Sequence, residues 1–242
     1  MPVILNIETS TEVCSVALTC DGQVVFNREN YKGLSHASSL GGYVQAALEA
    51  AKESHLTLDA VAVSRGPGSY TGLRIGVSEA KGLCFGLDVP LIAVDTLAVM
   101  ACAVMFKKTI DEEALLCPMI DARRMEVYSA VYDRALQAVK PVSAEIITET
   151  SYADILQEKS VLFFGNGAEK CRPVITHANA HFIDDIHPLA ADMLALSERS
   201  FRNATFEDVA YFEPFYLKEF IATKPKNKGL SPRILSYVCL ME

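Results

Sequence analysis

Two hydrophobic periods alternate along the chain. Val3–Ile7, Cys14–Leu18 and Gln23–Phe26 are short apolar runs that read as strands, the last two joined by an Asp21-Gly22 hairpin turn. A polar bend, Glu8-Thr9-Ser10-Thr11, separates the first strand from the second. From Ser35 to Ala51 the period becomes helical, with Leu40, Tyr43 or Val44, Ala47 and Ala51 on one face. Gly41, Gly42, Ala46 and Ala50 would let another helix approach closely. So many small residues make a weak helix in isolation, so its stability is expected to come from packing.

A β-branched run, Leu58–Val63, then leads into Ser64-Arg65-Gly66-Pro67-Gly68-Ser69-Tyr70-Thr71-Gly72-Leu73-Arg74-Ile75-Gly76. This predicts a buried strand, a tight turn, and a helix running from Gly72 to Gly86, with Ser69 or Thr71 able to cap its first N–H groups. A helix start of that kind suits an anion or a partner's backbone. The Gly-Lys-Ser/Thr ending of a phosphate loop is missing, and so is the dinucleotide spacing. Gly72, Gly76 and Ala80 recur every fourth position, which favours close packing on a helix of this chain or of a partner. A strand over 90–94, a helix over 96–106 and a polar linker over 107–113 follow.

The opening pattern then recurs. Leu115–Arg124 leads into Glu126–Tyr132, aligning Glu8 with Asp121 and Ser15-Val16-Ala17 with Ser129-Ala130-Val131. That repeat points to a duplicated α/β unit. A helix over 151–158, a strand over 161–164, a turn at Gly165–Ala168 opening a helix through Val174, a short strand at Phe182-Ile183 and a helix over 188–200 complete the pattern. The expected division is a first domain over 1–108, a second over 109–217 and a basic tail over 218–242 carrying Lys224, Lys226, Lys228 and Arg233.

Composition narrows the chemistry. Half of the 242 residues are hydrophobic, the formal net charge is −8, and seven cysteines are scattered with no Cys-x-x-Cys pair. These features predict a globular, cytoplasmic protein that does not hold RNA by itself and has no disulfide framework. No signal peptide is expected, and the longest apolar run, Leu97–Phe106, is far shorter than the roughly 18 residues of a membrane span. His177 and His181 have a metal-ligand spacing, but Asn179 and the strand-like Phe182-Ile183 break the helix it needs, so surface histidines are expected. No nucleophile elbow and no cysteine–histidine pair is evident. Glu8 and Asp121, one per half at the same bend, are candidates for cation or phosphate work, with turn capping as the alternative.

The glycine block Gly66–Gly76, with Ile7-Glu8-Thr9-Ser10 before it and Asp121–Tyr128 after it, closely resembles the TsaB (YeaZ) family. The likeness extends to Phe164–Ala168 and Pro214–Leu217, although Glu8 stands where relatives often carry Asp. The resemblance implies two actin/Hsp70-like (ASKHA, ribonuclease H-like) halves. It also implies a non-catalytic partner of TsaD, the subunit that moves threonylcarbamoyl onto the adenosine beside the anticodon of ANN-decoding tRNAs. TsaD binds its metal through a His-x-x-x-His pair; here His36 is followed by Leu40, so no metal is expected. Further implied are the ATPase TsaE, the upstream enzyme TsaC, tRNA contact mainly through the complex, and self-association of the chain when alone. No cofactor of its own is implied, beyond ATP or ADP at the complex interface and a vestigial nucleotide cleft at Glu8, Thr9, Ser10 and Asp121. The family's contact helices place an interface at His36, Leu40, Gly41, Tyr43, Val44, Ala47, Gly66, Pro67, Gly68, Ser69, Tyr70, Thr71, Gly72, Leu73, Arg74, Gly76 and Ala80. An actin-like ATPase or an M22-type peptidase acting alone is the alternative.

Overall fold

A computed structural model describes residues 2–33 and 36–218. Ser35 and residues 219–242 of the expected tail lie outside them. The first half opens with β1 (Val3–Glu8), β2 (Cys14–Cys20) and β3 (Gln23–Asn30), the antiparallel meander that the apolar runs predict. After α1 (His36–Glu53) come β4 (Ala60–Gly66), α2 (Tyr70–Leu87), β5 (Leu91–Asp95) and α3 (Thr96–Lys107). β4 lies parallel to β1 and β5 parallel to β4, giving the order β3-β2-β1-β4-β5.

The second half repeats this plan. β6 (Leu115–Asp121), β7 (Glu126–Tyr132), β8 (Ala138–Ile146), α4 (Ala153–Glu158), β9 (Val161–Phe164) and β10 (Ala180–Ile183) form a sheet of order β10-β9-β6-β7-β8, the first order read from its other edge. Glu8 and Asp121 therefore end equivalent strands, as the repeat predicts.

Three elements depart from the pattern. β8 is an edge strand with Lys140, Pro141, Ser143 and Glu145 and no buried residue, so no apolar run announces it. The helix expected to follow the Gly165–Ala168 turn, through Val174, is only a 3₁₀ turn at Glu169–Cys171, followed closely by Pro173, which cannot continue a helix. The helix expected over 188–200 is a 3₁₀ turn at Ala190–Met193 running into α5 (Leu194–Arg202).

α3 explains the longest apolar run. Leu97, Met100, Ala101 and Val104 pack with Leu116, Ile120 and Phe164 of the second sheet, while Val99 and Cys102 pack with Ile4, Ala62 and Ile92 of the first. A helix clamped between two sheets needs apolar side chains nearly all round. The chain then returns to where it started. Met193 and Leu196 join the first sheet's core, Ala190 N–H donates to Ser15 Oγ at 2.9 Å, and Gly22 N–H donates to Glu198 at 2.9 Å. The boundary near 108 thus separates the two sheets, but residues 190–202 of the expected second domain pack on the first half.

The small-residue stripe of α2 packs inside the chain, against a bend instead of a helix. A Cβ at Gly72 would overlap Thr9 O, and one at Gly76 would overlap Thr9 Oγ1. Thr9 Oγ1 itself donates to Gly72 O at 2.8 Å, and Ala80 lies in the first core. Gly41 is exposed with nothing within 4 Å of an added Cβ. Gly76→Val is therefore expected to cost about 1–3 kcal/mol in urea unfolding. Gly41→Ala is expected to raise stability by about 0.5–1 kcal/mol in the same measurement.

Candidate functional site

A cleft of about 780 Å³ lies between the halves. The first half supplies Ser10, Thr11 and Glu12 from the bend and Gly68–Gly72 from the entry to α2. The second half supplies Ile120–Arg123 and Asn166, and Phe215–Lys218 cross the mouth. Ser69 fixes the entry to α2 from both sides: its N–H donates to Ser10 O at 2.6 Å, and its hydroxyl accepts from Gly72 N–H at 3.3 Å. Ser69 is the N-cap that the sequence offered as one of two choices.

The residues expected at a nucleotide cleft divide. Ser10 and Asp121 line the cleft; Glu8 and Thr9 are fully buried and are not part of its lining. Glu8 accepts from Ser10 N–H at 2.6 Å, and the Ser10 and Ser64 hydroxyls neighbour its buried carboxylate. Burial raises the Glu8 pKa against these neighbouring donors, so Glu8 is a structural acid with a bias toward the neutral form. Asp121 at the rim pairs with Lys170 and accepts from Arg123 N–H at 2.9 Å.

The carboxylate that the sequence reading missed is Glu12. Its Oε2 accepts from Asn166 Nδ2 at 2.8 Å, and Asn166 Oδ1 accepts from Asp121 N–H at 2.9 Å. Its Oε1 lies 3.5 Å from His187 Nδ1, and His187 meets Tyr31 edge to face at 5.5 Å. The His187 contact, opposed by partial burial, lowers Glu12 to about 2, and the same pairing raises His187. Glu12 therefore clasps the two halves together. Only its place in the polar bend could have suggested it.

His36 is buried and donates from Nε2 to Thr11 O at 2.6 Å, and Leu40 lies in the core. His177 sits in a turn, accepting from Asn179 N–H at 3.1 Å, and His181 lies on β10. Among the described residues, no group of three His, Cys, Asp or Glu side chains could hold a metal ion. Burial pushes the Cys14, Cys84, Cys102 and Cys171 thiols up to about 11, far from a thiolate nucleophile.

The helices expected to carry an interface present only part of it to solvent. Leu40, Val44, Ala47, Leu73 and Ala80 are core residues, and His36 and Pro67 are buried. Gly72 and Gly76 are closed by Thr9, and Gly66 is closed by the Phe215 carbonyl. The side chains at these positions are enclosed by the chain itself. Gly41, Ser69, Thr71 and Arg74 are exposed, and Tyr43, Gly68 and Tyr70 are half-buried. The open stripe of α2 is Thr71, Arg74, Ser78, Gly82 and Phe85, opposite the core face Leu73, Val77, Ala80 and Cys84. A shallow groove between α1 and α2 is lined by Ala37, Thr71, Arg74 and Ser78. Gly41, Gly42, Gly82 and Gly86 have nothing within 4 Å of an added Cβ.

Two titrations test the site. Because the folded-state pKa of Glu8 is raised, wild-type stability falls as pH rises above about 4.5 toward that value. Glu8→Gln is therefore expected to gain stability over wild type as pH rises, read as urea midpoints across pH. The Glu12 contribution is complete above its unfolded pKa near 4.5 and lost as pH falls through about 2. The His187 contribution is complete below 6.5 and lost as pH rises through the raised value. Glu12→Gln keeps an acceptor for Asn166, and its penalty is expected to be larger at about pH 5.5 than at about pH 8.5.

The sequence model of TsaD, tRNA N6-adenosine threonylcarbamoyltransferase, matches residues 33–226. The chain is 32% identical over 227 residues to the tRNA threonylcarbamoyladenosine biosynthesis protein TsaB of Escherichia coli K12, covering 91% of this chain and 96% of that one. It is 32% identical over 168 residues to the TsaB of Bacillus subtilis, covering 67% and 70%. The solved structure of YeaZ from Pseudomonas aeruginosa superimposes with a TM-score of 0.71 at 26% identity, covering 90% of this chain and all of that one. A protein described as similar to the peptidase YeaZ of that organism superimposes at 0.77 and 25% identity, with the same coverage.

Proposed function

The chain belongs to the TsaB (YeaZ) family, and from that membership we propose that it is a non-catalytic subunit in tRNA threonylcarbamoyladenosine biosynthesis that docks on TsaD and activates it. The observation that carries this reading is the open face of α1 and α2. Gly41, Gly42 and Gly82 leave space above the backbone beside a shallow groove, while the opposite faces are closed into the core. A second pair of helices can approach such a surface closely. The resemblance of TsaD to this chain makes a helix pair of similar shape the expected occupant, and a second copy of this chain the occupant when TsaD is absent.

An ATPase or peptidase of its own finds little support in the cleft. The carboxylate at the end of β1 is buried and biased toward neutrality, Glu12 is engaged by Asn166 and His187, and Asp121 is paired with Lys170. Threonylcarbamoyl chemistry is therefore assigned to TsaD, with TsaC supplying the activated substrate and TsaE joining the complex. On this reading the complex works in the cytoplasm, with ATP or ADP at the subunit joint and tRNA held mainly by the assembly. Among the described residues no helix is long and apolar enough to cross a membrane.

Gly41→Trp and Gly82→Trp test this reading without entering the core. Copurification with TsaD is expected to drop at least about tenfold, with an unchanged melting curve for the isolated chain. Undiminished TsaD capture by both variants would remove the assigned face. Reconstituted threonylcarbamoyl transfer should need this chain and TsaD together. Robust ATP hydrolysis by the chain alone would instead favour an enzyme.

A further inference from the structure

We propose that Glu213–Lys218 is a strap across the inter-half cleft, fastened firmly to the first half and releasably to the second. The chain approaches the cleft along the first half. Glu207 N–H donates to Leu91 O at 2.9 Å, and Lys81 Nζ donates to Ala210 O and Phe212 O at 3.1 and 3.0 Å. Phe215 N–H then donates to Arg65 O at 2.7 Å, and the Phe215 carbonyl lies over Gly66, 2.8 Å from where a Cβ would stand. Gly66 has φ +113°, a conformation that suits glycine, so both backbone and space are fitted to this crossing. Tyr216 lies against Tyr70, ring centres 4.8 Å apart.

The far end is held differently. Phe215, Tyr216, Leu217 and Lys218 all line the cleft, and Lys218 reaches over it to the Glu126 carboxylate on β7. Among the described residues this is the strap's one polar tie to the second half. Its side chains are 43% and 20% exposed, so the pair is weak and screened by salt. The Glu12 clasp on Asn166 and His187 is separate and keeps the halves together when that tie breaks. Release therefore uncovers the cleft without parting the halves.

Amide hydrogen exchange on the full chain reads this directly, using peptides over 66–72, 120–128 and 213–218. Glu126→Gln is expected to speed exchange in all three by about threefold or more, while peptides from β1 and β4 stay unchanged. Raising salt should do the same to wild type and add nothing to Glu126→Gln. The double charge swap Glu126→Lys with Lys218→Glu should restore wild-type exchange. Unchanged exchange at 213–218, a change there that leaves 66–72 and 120–128 untouched, or a uniform rise across the fold would each overturn the strap. Because no partner is present in the experiment, its result is independent of docking on TsaD.

Discussion

The first half is organised by how closely the backbone of α2 comes to the bend after β1. Thr9 Oγ1 donates to Gly72 O, Ser69 N–H donates to Ser10 O, and Cβ atoms at Gly68, Gly72 and Gly76 would all run into the bend. A helix lying this near a strand end needs glycine at each point of contact. The approach fixes where α2 begins, sets one wall of the cleft, and turns the opposite stripe of α2 to solvent. One steric requirement thus sets the positions of both the cleft and the open helix face.

The second half meets the same requirement with different atoms. Gly165 and Gly167 follow β9 much as Gly66 ends β4 and Gly68 follows it, and a Cβ at Gly167 would stand 2.8 Å from Ile120 C. Equivalent positions have nevertheless diverged chemically. Glu8 is sealed inside the first half without a counter-charge, whereas Asp121 is half-solvated beside Lys170. Desolvation biases Glu8 toward its neutral form, so the duplicated acid is not a symmetric pair of charges. Glu12 faces the cleft instead, and its charge is used to hold the halves.

Most of the fold was legible because its buried strands are apolar runs and its glycine turns are explicit. The repeat Glu8/Asp121 identified equivalent strand ends from sequence alone. What escaped was what depends on neighbours distant in sequence. β8 carries no apolar face to read, and the destination of α5 follows from Met193 and Leu196 meeting Ile4 and Ile92. The stripe Gly72-Gly76-Ala80 was expected to pack closely on a helix, and it packs closely on the bend after β1. Spacing cannot say whether a threonine in a bend or another helix fills it. For the same reason Leu40, Val44 and Ala47 marked a real helical face, but it is the core face.

That distinction separates the cleft from the outer face of the same helix. A cleft between two halves is maintained here by packing that does not depend on any ligand: α3 is clamped between the sheets, and residues 190–202 return to the first half. The cleft walls are neutralised one by one, through burial of Glu8, the contacts of Glu12 and the pairing of Asp121 with Lys170. The Phe215–Lys218 segment then lies over the opening. None of these changes touches the outward stripe Thr71, Arg74, Ser78, Gly82 and Phe85, because it lies on the other side of a helix whose inner side is pinned by Thr9. The outward face of α2 and the chemistry of the cleft can therefore change independently, although a single helix carries both.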